Sequence, residues 1–155
     1  MKNFSNTRPV EILLVEDNEG DVFLTKEAFR LSKIANIIHV AKDGEVAMEF
    51  LRKEGEYKDV PTPDIVLLDI NLPKKNGTQV LSEIKQDDVL RYIPVVILTS
   101  SRSEQDVVKS YGLHANSYLI KPVDFTKFSE IVSAIENFWF AIVVLPDEKD
   151  IMSAK

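Results

Sequence analysis

The chain is predicted to be an α/β protein, a doubly wound five-stranded parallel sheet with helices on both faces. Three observations predict this. Short apolar runs rich in β-branched residues alternate with segments of helical spacing along almost the whole length. About five such strand–helix units in order imply parallel strands joined by right-handed crossovers. The 155 residues suffice for one well-buried domain and leave no room for a second of ordinary size.

The run Glu11-Ile12-Leu13-Leu14-Val15 reads as a strand buried on both faces. Asp17 and Asn18 then offer N-capping side chains. Leu24, Ala28 and Leu31 recur at helical spacing and are expected to form the inward face of the first helix. Ile37 to Val40 fits a second strand and Gly44 to Leu51 a helix. The charged segment from Lys53 to Pro63, with two prolines, is expected to be an exposed loop. Ile65 to Leu68 forms the third strand, ending at Asp69; Pro73 and Asn76-Gly77 separate it from a helix carrying Val80, Leu81 and Ile84. Pro94 to Leu98, ending at Thr99, is the fourth strand, and a shorter helix with Val107, Val108 and Tyr111 follows. Ser117 to Ile120 is the fifth, ending at Lys121-Pro122, and a last helix carries Phe125, Phe128, Val132, Ile135, Trp139 and Ile142.

Composition narrows the function. With no cysteine there is no disulfide, thiolate metal site or thiol catalysis, and a cytoplasmic protein is expected. No apolar run is long enough to cross a bilayer, and Met1 to Pro9 lacks the apolar stretch of a signal peptide. A formal net charge of −6 with scattered basic residues argues against direct nucleic-acid binding.

Ligands of open parallel sheets bind beyond the carboxyl ends of the strands. Those ends hold Glu16 and Asp17, then Asp69, Thr99 and Lys121, polar groups where apolar strands stop. Three carboxylates in one crevice repel one another, and a hard divalent cation with oxygen ligands, Mg²⁺, relieves them alongside Lys121. Asp69 is then the nucleophile and acceptor of a phosphoryl group, whose oxygens Mg²⁺, Lys121 and the Thr99 hydroxyl would hold. Asp17 is the direct metal ligand, Glu16 acts through a bound water, and Asn71 adds its backbone carbonyl. Taken singly, each residue has an ordinary explanation. A strand-end acid is usually an N-cap, though Asn18 could serve in place of Asp17. Thr99 alone suits a loop hydroxyl, and Lys121 alone a solvated lysine. Their coincidence on one sheet edge is what argues for chemistry.

The stretches Val15-Glu16-Asp17-Asn18, Leu68-Asp69-Ile70-Asn71-Leu72-Pro73, Asn76-Gly77, Leu98-Thr99-Ser100-Ser101 and Tyr118-Leu119-Ile120-Lys121-Pro122 together resemble the receiver domains of bacterial response regulators. The resemblance covers nearly the whole chain and implies a flavodoxin-like sheet. It implies phosphorylation of Asp69 by a sensor histidine kinase or a phosphotransfer protein, Mg²⁺ on the acidic pair, and Thr99 and Lys121 as phosphoryl sensors. It also implies a switch in which Tyr118 turns inward as Thr99 moves, and a cis peptide between Lys121 and Pro122. The long segment before Pro63 and the run Phe138 to Pro146 resemble the small regulators, without output domains, that partner bacterial and notably cyanobacterial phytochromes, which points to a light-responsive kinase. The expected organisation is a flexible 1–9, a receiver over 10–146 with an extended C-terminal helix and tail, and a polar 147–155 with no output domain.

The apolar tail goes beyond the stripe a packed helix needs, and contiguous apolar surface marks interfaces. A homodimer through Trp139, Phe140, Val143 and Leu145 is therefore expected. His39 and His114 lack ligand spacing and read as surface or packed residues. Among rivals, an aspartate-nucleophile phosphatase of the dehalogenase type wants a second Asp where Asn71 stands, and Asn cannot shuttle a proton. A nucleotide- or flavin-binding domain wants glycines where Glu16-Asp17-Asn18-Glu19 stand. A degenerate receiver that only binds partners is the remaining alternative.

Overall fold

In the computed structural model, residues 8–32, 35–101 and 117–133 are described. Five strands, β1 (Val10–Val15), β2 (Asn36–Ala41), β3 (Ile65–Asp69), β4 (Val95–Thr99) and β5 (Ser117–Ile120), form one sheet in the order β2-β1-β3-β4-β5. Every pairing is parallel. The α-helices among the described residues are α1 (Glu19–Arg30), α2 (Gly44–Arg52), α3 (Gly77–Gln86) and α4 (Phe125–Ser133).

Alternation along the strands divides the core in two. Leu13, Val15, Val66, Leu68, Val95 and Ile97 face α2 and α3 through Met48, Leu51, Val80, Leu81 and Ile84. Ile12, Leu14, Ile65, Leu67, Val96 and Leu98 face α1 and α4 through Phe29 and Phe128. Phe29 meets Phe125 and Phe128 edge to face, its ring centroid 5.5 Å from Phe125 and 4.8 Å from Phe128. All five residues of β3 and of β4 are buried, as expected of strands covered on both faces.

Two expectations need correction. The inward face of α1 is Thr25 and Phe29, with Val22 partly buried, whereas Leu24 and Leu31 are 48% and 72% exposed. The helical period was right but its phase was off by one residue. A threonine takes the inward position because its hydroxyl donates to the Asp21 carbonyl one turn back, at 2.9 Å, and so carries no unmet polar group inward. The segment before Pro63 is not wholly exposed either. A 3-10 turn at Gly55–Tyr57 brings Tyr57 and Val60 onto the core, with the Tyr57 ring 5.6 Å from Phe50. The predicted helix at Val107, Val108 and Tyr111 lies outside the described residues.

Candidate functional site

The backbone carries each strand end one residue further than the strand itself. Glu16 N–H donates to the Ala41 carbonyl at 3.0 Å, Ile70 N–H to Leu98 at 3.2 Å, and Lys121 N–H to Thr99 at 2.8 Å. Glu16, Asp69, Thr99 and Lys121 are therefore held by the sheet and not by loops. Glu16, Asp69 and Thr99 are buried at 1%, 3% and 0% exposure, although all three are polar. Asp17 is exposed beside them, and Asn18 caps α1 by accepting the Asp21 N–H at 2.9 Å. The alternative cap is thus the one used.

The loop after β3 is pressed close to the site. A Cβ on Gly77 would lie 2.5 Å from the Asp69 carbonyl oxygen and 2.7 Å from Ile70 Cα, so only glycine lets α3 start there. Asn76 and Gln79 close a capping box around that start. The loop is also braced against α2: a Cβ on Gly44 would sit 1.9 Å from the Lys75 carbonyl oxygen.

Carboxylate oxygens of Glu16, Asp17 and Asp69 lie within 4.8 Å of one another. Lys121 Nζ reaches Asp21 Oδ2 at 3.0 Å, Glu16 Oε1 at 3.2 Å and Asp69 Oδ2 at 3.3 Å. Burial pushes the Glu16 carboxyl up to about 7, helped by its hydrogen bond to Asp69 and by the charge there; the Asn18 N–H and Lys121 only partly oppose this. Burial works to lower Lys121, but the Asp21 hydrogen bond and the charges of Asp69 and Glu16 outweigh it and hold the ammonium above the ordinary lysine range. Asp69 Oδ1 accepts the Asn71 N–H at 3.2 Å. The Thr99 hydroxyl is buried with no hydrogen-bond partner among the described residues. Leaving such a group unmet costs about 1–3 kcal/mol.

Negative charge is thus over-supplied and one buried donor is idle. An oxygen-ligating divalent cation fits the first condition and an anionic oxygen the second. The strand-end residues named from the sequence come together at this edge, and the peptide between Lys121 and Pro122 is cis. Tyr118 is partly buried against the α2–α3 side of the core, and burial raises its hydroxyl pKa. His39 is a packed residue, its Nε2 2.7 Å from Glu11 Oε1 and its ring 5.2 Å from Phe50. His114, Trp139, Phe140, Val143 and Leu145 lie outside the described residues. Asp21 was missed by sequence reasoning. Its one signal is position: three residues after the N-cap, a side chain lies on the helix end that faces the strand termini.

Sheet order and acidic edge together are those of a receiver domain, a class of signalling switch and not of turnover enzyme. The model of the response regulator receiver domain family matches residues 12–134, and the chain belongs to that family. It is 47% identical over 138 residues to Response regulator Rcp1 of Synechocystis sp., covering 89% of this chain and 94% of Rcp1. The Mn²⁺-bound form of Rcp1 superposes with a TM-score of 0.69 over 90% of this chain and 100% of that one. The bacteriophytochrome response regulator AtBRR is 42% identical with a TM-score of 0.80, covering 91% of this chain and 99% of its own. The phosphorylated cyanobacterial phytochrome response regulator RcpA is 44% identical with a TM-score of 0.70, covering 90% and 100%. Among the described residues no helix is long and apolar enough to cross a membrane.

Proposed function

We propose that Asp69 is the phosphoacceptor, that the donor is a sensor histidine kinase of the phytochrome type, and that Mg²⁺ is the metal. The observation that carries this is the buried Asp69 carboxylate, which shares Lys121 with Glu16 while the Thr99 hydroxyl on the next strand has no hydrogen-bond partner among the described residues. In the transfer, an Asp69 oxygen attacks the phosphorus of phosphohistidine. The P–N bond breaks, and its electron pair stays on the imidazole nitrogen, which takes up a proton. Glu16, Asp17, Asp69 and the Asn71 carbonyl would hold Mg²⁺, which supplies charge neutralisation at the phosphoryl oxygens. Lys121 contributes its ammonium to the same oxygens, and the Thr99 hydroxyl donates where it now lacks a partner. Movement of Thr99 toward the phosphoryl group would open space for Tyr118 to turn inward, the switch that changes partner binding.

Intact mass after incubation with acetyl phosphate tests the assignment. One phosphoryl group should be gained only with Mg²⁺, and none by Asp69→Asn. If neither acetyl phosphate nor a phosphorylated cognate kinase modifies the wild type, the chain is a binding module instead. The same reading extends to a homodimer through Trp139, Phe140, Val143 and Leu145, supported by the unbroken apolar run around them. A concentration-independent monomer in sedimentation, with and without phosphorylation, would remove it.

A further inference from the structure

Lys121 has three N–H donors, and three carboxylates take them. The third of these, Asp21, belongs to no strand end. It is the third residue of α1, and its Oδ2, at 3.0 Å, lies nearer the ammonium than Glu16 at 3.2 Å or Asp69 at 3.3 Å. Asp21 is itself well placed. Its N–H donates to Asn18 Oδ1 at 2.9 Å, and its carbonyl accepts the Thr25 hydroxyl at 2.9 Å. An acid at this helix position commonly turns back to the N–H of the N-cap. Here that N–H goes to Glu16 Oε2 at 3.2 Å, and the Asp21 carboxylate goes to Lys121. Its side chain is 31% exposed against 5% for Asp69, so it stands at the rim of the site and not at its floor.

We propose that Asp21 is a positioning residue for phosphorylation, a carboxylate that competes with Asp69 for Lys121 and sets how readily the ammonium passes to an arriving phosphoryl group. The inference rests on the reading of Asp69 as the phosphoacceptor. A phosphoryl group carries nearly two negative charges, and Lys121 has to turn at least one donor toward it. Asp21 opposes this in two ways: it occupies an N–H, and it adds negative field at the mouth of a site that anionic donors must enter. Removing its charge while keeping its shape abolishes the second and weakens the first, because an amide oxygen holds an ammonium N–H less strongly than a carboxylate does.

The experiment measures acetyl phosphate phosphorylation of the full chain at saturating Mg²⁺ by intact mass, separating half-saturating donor concentration from maximal rate. It is paired with ¹⁵N NMR of the Lys121 ammonium. In Asp21→Asn the half-saturating concentration should fall about two- to fivefold, a range set by the modest worth of a partly exposed ion pair. The maximal rate should change less, the effect should shrink at high ionic strength, and the Lys121 resonance should shift. Asp21→Glu, which keeps the charge, should return the concentration toward wild type. A purely structural role would lower thermal stability and leave the half-saturating concentration alone. Wild-type concentrations in both variants, or an unmoved Lys121 resonance, overturn the proposal and leave Asp69 as phosphoacceptor intact. A wild type that gains no phosphoryl group, or an Asp69→Asn that still gains one, overturns that reading and this proposal with it.

Discussion

Strand β3 has an aspartate at each end, and the two are treated in opposite ways. Asp64, just before the strand, accepts two hydrogen bonds from Arg8 at 2.6 Å and the Glu11 N–H at 2.8 Å. Every demand of that carboxylate is met, largely by a cation of its own. Asp69, at the other end, shares one ammonium with Glu16 and Asp21 and lies beside a raised Glu16. The fold was free to settle both ends, and it settled only one. Unmet charge kept in a rigid frame is a binding capacity held ready, whereas the settled end contributes stability alone.

The contrast can be tested by stability as well as by chemistry. The largest effect is expected from pH. Glu16 titrates near 7 in the fold against an ordinary 4.5, so between these values the folded chain keeps a proton that the unfolded chain has released. Stability of the metal-free protein therefore falls as pH rises through that window, by a total on the order of 3 kcal/mol. Denaturant titrations from pH 4 to pH 8 would show this decline, and Glu16→Gln or added Mg²⁺ should flatten it. A flat profile in metal-free wild type would mean the acidic edge is settled after all. At the opposite end, Asp64→Ala should cost about 1–3 kcal/mol, because the Glu11 N–H loses its acceptor and Arg8 its partner, with no change in phosphorylation rate. Changed phosphorylation there would erase the distinction between the two ends. The smallest effect belongs to neither end. Leu31→Ser at the exposed C-cap of α1 should alter stability by less than about 0.5 kcal/mol in the same titration.

Sequence reasoning reached the parts of the molecule where pattern and physics coincide. Apolar runs located all five strands, most firmly β1, β3 and β4, because a strand buried on both faces tolerates little else. The strand-end list then named Glu16, Asp17, Asp69, Thr99 and Lys121, which the sheet brings to one edge. It did less well where a polar residue takes an apolar role or a helix contributes to a strand-end site. Thr25 is inward because it bonds its own backbone, which a hydrophobic count cannot register. Tyr57 and Val60 look like loop residues until the 3-10 turn folds them onto the core, Tyr57 against Phe50. Asp21 reads as a routine acid of a helix's first turn, and its meaning appears only when Lys121, 100 residues later, arrives beside it.

Helix α1 touches the segment that follows β5 at two separated places. Near its start Asp21 pairs with Lys121, and near its end Phe29 lies against Phe125 and Phe128 of α4. A beam pinned at two points cannot pivot about either. The two contacts fix both the place and the rotation of α1 against that segment, and so fix which side of the helix presents Phe23, Leu24 and, at its cap, Leu31 to solvent.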